Sequence, residues 1–350
     1  MSDPRYRSCV RLAPFLALTG MIWGAFVAAA PICVSDTPLP AEGFVRANGI
    51  RLEYLDWGGK GPVLIFIPGS GDDPHVFDDL APAFTDRFHV IAYARRGSGD
   101  SAARPPYDTG TLTEDLLGLM DALKISKASL VGWSLGGNEI TAMAALHPAR
   151  VSALVYLDAG YDWRDYEAAY HALPQSLFHT PAAAMKSLHA YLAYEKAIDY
   201  TQLDDIRRIE VYLCDSVTVL PDGRVQPRIK RDVMDALMAA SWTNPWRQYR
   251  RVQAPALAIY AESMADLHVA DRERLEQERK WESTYMAPFR RKSITRIRRE
   301  LGGVQILTVP GAHDSFFLTS RTQVVKAMRR FLLAHEADTG AGRCRARSRR

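Results

Sequence analysis

The strongest constraint on the fold is the alternation of two patterns. PVLIFIPG (62–69), HVIAYA (89–94), ASLVGWS (128–134) and VSALVYLDA (151–159) are short, mostly apolar runs. Runs of this kind suit strands buried on both faces of a parallel sheet. Between them lie segments of helical pattern: HVFDDLAPAFTD (75–86), TLTEDLLGLMDALK (111–124) and LGGNEITAMAALH (135–147), the last stopped by Pro148. Strands alternating with helices imply βαβ units and a parallel sheet with helices on both faces. Upstream, GFVRANGIRLEYLDWGG reads as two antiparallel strands around an Asn48-Gly49 turn.

The alternation breaks near residue 160 and resumes at PALAIYA (255–261) and VQILTVPG (304–311), followed by an amphipathic helix over 320–336. The expected organisation is a leader over 1–30 and a first core part over 31–160. A helical cap over 161–250 follows, then a second core part over 251–336 and a basic tail over 337–350. The cap is rich in aromatic residues, among them Tyr161, Trp163, Tyr166, Tyr170, Tyr191 and Trp242. A charged stretch over 266–300 is expected to be helical, with its charges on solvated faces.

Charge is mild, +4 over 350 residues, and sits mostly at the ends. Arg5, Arg7 and Arg11 open the chain, and Arg343, Arg345, Arg347, Arg349 and Arg350 close it. The body between carries no basic surface of the kind that binds nucleic acid. The N-terminal arginines precede an apolar run, LAPFLALTGMIWGAFVAAA (12–30), ending in small residues. That is the pattern of a secretory signal peptide, so the chain is expected to be exported, periplasmic or extracellular. The alternative is an uncleaved leader serving as a membrane anchor. The four cysteines, Cys9, Cys33, Cys214 and Cys344, have no metal-ligand spacing. No metal or cofactor is expected, and pairing among Cys33, Cys214 and Cys344 is left open.

One strand–helix junction carries chemistry. Gly132-Trp133-Ser134-Leu135-Gly136 fits G-x-S-x-G, a sharp turn that exposes a serine hydroxyl at the mouth of a helix. Glycines two positions on either side let strand and helix approach closely. A serine is a poor nucleophile until a base, itself oriented by a carboxylate, removes its proton. His313, just after the last strand run, is the candidate base. Asp266 is the first choice of acid, with Asp158 and Glu262 as alternatives. All three keep the order serine, acid, histidine. Negative charge developing on the substrate needs backbone donors. These are assigned to Leu135, directly after the nucleophile, and Ser70 in the glycine-rich loop IPGSGDD (67–73).

IPGSG, YARRGSGDS (93–101), GWSLGG (132–137) and PGAH (310–313) together resemble the α/β-hydrolase superfamily, from residue 43 to about 335. The resemblance implies a mostly parallel eight-stranded sheet with a cap inserted after strand six. It departs at Pro68, where the family usually has histidine, and at Ala261, where the acid loop usually has glycine. It implies a serine hydrolase acting on a small or medium, largely apolar carboxylic ester. Alternatives on the same residues are a lactonase, a C–C bond hydrolase, an aminopeptidase or a perhydrolase. A rival of another class is a catalytically silent fold used for binding. The expected partner is a small molecule. Stable membrane insertion is not expected if the leader is cleaved, and the oligomeric state is left open.

Overall fold

The computed structural model describes residues 6–8, 32–34, 39–173, 180–243 and 248–336. The apolar run over 12–30 and the basic tail over 337–350 lie outside the described residues. The eight strands of the central sheet are β1 (Ala41–Ala47), β2 (Ile50–Gly58), β3 (Val63–Ile67), β4 (His89–Tyr93), β5 (Ala128–Trp133), β6 (Val151–Leu157), β7 (Ala256–Ser263) and β8 (Gln305–Ala312). Their spatial order is β8-β7-β6-β5-β3-β4-β2-β1. β3 to β8 pair in parallel, while β2 is antiparallel to both β1 and β4. Asn48 (φ 46°) and Gly49 (φ 75°) make the hairpin turn between β1 and β2, the left-handed pair that a two-residue turn of this twist requires.

The continuous apolar runs have a simple cause. In β3, Leu64 and Phe66 face one hydrophobic cluster while Ile65 and Ile67 face another. The same division holds in β6, with Val155 and Leu157 on one side and Leu154 and Tyr156 on the other. A strand between two helical layers has no polar face. The helices α1 (Thr109–Ala122) and α2 (Gly136–Leu146) cover the second cluster through Leu116, Leu119, Ile140 and Met143. The C-terminal helix Arg321–Ala334 covers the first through Val324, Met328 and Phe331.

Two expectations change. The segment 75–86 is not one helix but two single 3₁₀ turns, Pro74–Phe77 and Ala81–Phe84. Pro82 lacks the amide that a continuous α-helix would use there. The charged stretch does form helices, Arg272–Trp281 and Ala287–Glu300, joined by a π-helical turn over Glu282–Met286. Its faces are not all solvated, because Glu278 and Trp281 are buried.

Between β6 and β7 the described residues are mainly helical, with Leu188–Ile198 (α3) and Arg231–Trp242 (α4) the longest elements. A disulfide joins Cys33 to Cys214, in the helix Glu210–Asp215 of this segment. It closes a loop of 181 residues. Loop closure in the unfolded chain makes such a bond worth about 2–5 kcal/mol. Reduction, or Cys214→Ser, is therefore expected to lower the urea midpoint of unfolding, and an unchanged midpoint would contradict this.

Candidate active site

The strand order reverses between β5 and β3, which places a crevice beyond their carboxyl ends. Ser134 follows β5 directly and holds a φ of 51°, a left-handed conformation that L residues adopt only under constraint. The constraint is visible. The Ser134 amide donates to Leu157 O (3.2 Å), the Gly137 amide to Ser134 O (3.0 Å) and the Asn138 amide to Leu135 O (2.9 Å). None of these uses the Leu135 amide, which heads α2.

Close approach needs the flanking glycines. A Cβ on Gly132 would meet the Gly136 carbonyl at 2.6 Å, and one on Gly136 would meet Ile67 O at 2.5 Å. All these contacts are backbone and cannot swing aside. Gly132→Ala is expected to destabilise by about 1–3 kcal/mol and to shift the turn bearing Ser134. A thermal melt together with a turnover assay checks both effects.

The loop after β3 is held from below by Arg95. Its guanidinium donates to Pro68 O (2.7 Å) and to Gly69 O. It also pairs with Glu139 at 2.6 and 2.9 Å, and both residues are fully buried. A trans peptide points its C=O and N–H in opposite directions. Turning Gly69 O toward Arg95 therefore turns the Ser70 amide away from it. This is the structural use of the YARRGSGDS run, of which the sequence showed only the pattern.

His313 is the first residue after β8 and is buried. Its Nδ1 bonds Asp158 Oδ2 at 2.6 Å. With Nδ1–H donating, the neutral ring presents the lone pair of Nε2. Trp133 Nε1 donates to His313 O (3.2 Å), and the Trp133 ring packs against the imidazole. Burial pushes the imidazole pKa down, but the hydrogen bond and charge of Asp158, with Asp314 and Asp72 behind it, outweigh this and raise it above 6.5.

The first-choice acid is corrected. Asp266 does not bond His313. Its Oδ2 accepts from Thr201 Oγ1 (2.6 Å) and N (3.2 Å), and its Oδ1 from the His268 amide (2.9 Å). Glu262 is exposed. Asp158, directly after β6, stands against the histidine instead, with φ 42° and no exposure. Its Oδ1 accepts from Tyr161 O–H (2.5 Å) and from the Ala261 amide (3.1 Å) at the end of the neighbouring β7. Asp158 reaches His313 across the end of the intervening β7, where the Ala261 amide holds its Oδ1, whereas Asp266 lies three residues past the end of β7 and is held by Thr201.

Ser134, His313, Ser70 and Leu135 all border one cavity of about 220 Å³. Trp163 and Tyr166 from the aromatic segment line it as well, while Tyr170 packs against Trp242 instead. So some of these aromatics shape the cavity and others hold the segment together. Sequence reasoning missed Arg274, Glu278 and Asp314, which also line the cavity. Two of them sit in the charged stretch, where nothing in the local pattern separates the inward face from the solvated one.

A family model described as alpha/beta hydrolase fold matches residues 62–205. The chain has the α/β-hydrolase fold. It is 32% identical over 171 residues to a Caulobacter segnis protein whose name assigns it carbamate hydrolysis, across 43% of this chain and 63% of that one. The chain thus spans less than two thirds of that relative's length. It is 27% identical over 222 residues to the 2-(acetamidomethylene)succinate hydrolase of Mesorhizobium japonicum, across 59% of this chain and 72% of that one. A solved E-2-(acetamidomethylene)succinate hydrolase superposes with a TM-score of 0.65 at 22% identity, over 84% of this chain and 99% of that one. The enol-lactonase from Burkholderia xenovorans follows at 0.55 and 19%, over 83% and 100%. At these identities the structural matches show the fold. Among the described residues no helix is long and apolar enough to cross a membrane.

Proposed function

We propose that the chain is a serine hydrolase that cleaves a carboxylic ester through an acyl-enzyme. The observation that carries this reading is the pairing of His313 with Asp158 beside a serine held at positive φ in the same cavity. Ser134 Oγ attacks the ester carbonyl carbon, and His313 Nε2 takes its proton. Asp158 keeps the ring in the right tautomer and stabilises the imidazolium. The Ser70 and Leu135 amides receive the oxyanion. The imidazolium then protonates the leaving alcohol, and water repeats the sequence to free the acid.

The aromatic and methionine lining supports a substrate with a sizeable apolar part. The segment between β6 and β7 acts as the cap that encloses it. The names of similar proteins print carbamate, enol-lactone and meta-cleavage-product hydrolysis, reactions that a serine nucleophile with an oxyanion site can also serve. Assay of the purified chain on aryl and alkyl esters, lactones and amides tests the ester assignment. No turnover of any ester by protein that binds a fluorophosphonate at Ser134 would overturn it.

We also propose that the chain works outside the cytoplasm. The leader-like N-terminus and the Cys33–Cys214 bond support this, since disulfides persist in oxidising compartments. The mass of the mature protein recovered from its natural compartment checks the leader cut.

A further inference from the structure

The cavity holding Ser134 has two sides of different chemistry. On one side it adjoins a second cavity of about 640 Å³, with which it shares Ser70, Tyr166, Leu173 and Met238. That larger space is lined mostly by apolar side chains, Met234 and Ile229 among them. The residues lining only the smaller cavity include the carboxyls of Asp199, Asp266, Glu278 and Asp314. Among the described residues, a single guanidinium, Arg274, and no lysine stand against these.

The carboxyls are not equally occupied. Asp266 is fully engaged with Thr201 and His268. Glu278 is only 2% exposed, and its Oε1 accepts from Arg274 Nε at 2.6 Å. Its Oε2 has no hydrogen-bond partner. A buried carboxylate oxygen left unmatched costs free energy, and an N–H donor placed against it recovers that cost. Arg274 donates through Nε to Glu278 Oε1 and through Nη1 to Tyr194 (3.2 Å), so neither of these nitrogens serves Oε2. Burial, followed by the charges of Asp314 and Glu195, raises the Asp199 carboxyl far above its ordinary range. Burial and Asp266 raise Glu278 in the same direction. A purely apolar ligand would desolvate these groups further with nothing in return. An anion would meet four carboxyls, against one guanidinium with Nε and Nη1 already donating and the imidazole of His313. A cation with N–H donors satisfies the unmatched oxygen and restores the ionised carboxylates.

We propose that this side of the cavity is an ammonium subsite formed by Glu278 and Asp199, so that the substrate carries a protonated amine at one end and an apolar portion at the other. For the reaction, this rests on the ester-hydrolase reading above. Binding tests it separately.

Calorimetric titration of the full chain with hexylammonium, hexan-1-ol and hexanoate provides that test. Hexylammonium is expected to bind at least about tenfold more tightly than the alcohol, as a charge-assisted hydrogen bond should confer. Glu278→Gln and Asp199→Asn should each reduce that ratio about tenfold. Ser134→Ala should leave the preference in place. Equal binding of amine and alcohol, or tighter binding of hexanoate, overturns the subsite. The wild-type comparison decides the question if either carboxyl variant fails to fold.

Turnover then joins site and chemistry. Butyl 6-aminohexanoate is compared with butyl heptanoate, and 6-aminohexyl hexanoate with heptyl hexanoate. One amine-bearing ester should exceed its neutral partner in kcat/KM by about tenfold. An ammonium preference in binding with none of the four esters cleaved would sink the hydrolase reading and keep the subsite. Cleavage of the neutral esters alone, with no ammonium preference, would do the reverse.

Discussion

Ser134→Ala is expected to lower kcat on any ester substrate by about 10⁴-fold or more, with the fold intact. The change removes one oxygen and asks nothing new of the backbone. Alanine at position 134 meets the same positive φ that serine already holds, and the amide bond to Leu157 O does not involve the side chain. What disappears is the oxygen proposed to bond the acyl group. A fluorophosphonate should add once to the wild-type chain and not to the variant, as read by intact mass. A variant that keeps most of its turnover would show that the cavity works by another nucleophile. Wild-type protein that is folded but unlabelled would favour a silent binding fold.

Asp158→Asn is the second large effect, again about 10⁴-fold in kcat, and it separates the two aspartates. The introduced asparagine keeps one oxygen for Tyr161 O–H and the Ala261 amide, so the packing survives. Its amide group, however, faces His313 with hydrogens where Nδ1–H expects an acceptor. The imidazole then takes the wrong tautomer. Asp266→Asn should cost far less, because that carboxylate serves Thr201 and His268 rather than the histidine. The opposite ranking would return the role to Asp266.

The pH profile gives an independent reading. As the proposed base, His313 would act only when neutral, and its pKa is raised above the ordinary 6.5 by Asp158. So kcat/KM should fall as pH drops through that raised value and level off above it. Asp158 supplies the largest upward contributions, opposing burial. Asp158→Asn should therefore move the acid limb to lower pH along with the loss of rate. A limb that stays in place would mean that another group sets it.

The doubly buried strands were legible in sequence because such strands leave no polar residue to confuse the pattern. The hairpin was legible because Asn48-Gly49 is a turn with a steric cause. Ser134 and His313 could be singled out because each follows an apolar strand run directly. The same rule, applied consistently, picks Asp158, which follows VSALVYL as directly as Ser134 follows ASLVGW. The familiar acid loop after the seventh strand pointed to Asp266 instead, although Ala261 already departs from its pattern. The single helix expected over 75–86 failed on Pro82, whose missing amide was in plain view.

Composition and local pattern determined the parallel sheet, the elbow at Ser134 and the interruption after the sixth strand, because each is written in neighbouring residues. Tertiary structure alone decided which carboxylate meets His313, since Asp158 and Asp266 both follow adjacent strands and only the folded loops show which one the histidine meets and which one Thr201 holds. It alone paired Cys33 with Cys214 across 181 residues. It alone turned Arg274 and Glu278 inward, because a helix dense in charge on every face does not announce which face the fold will bury.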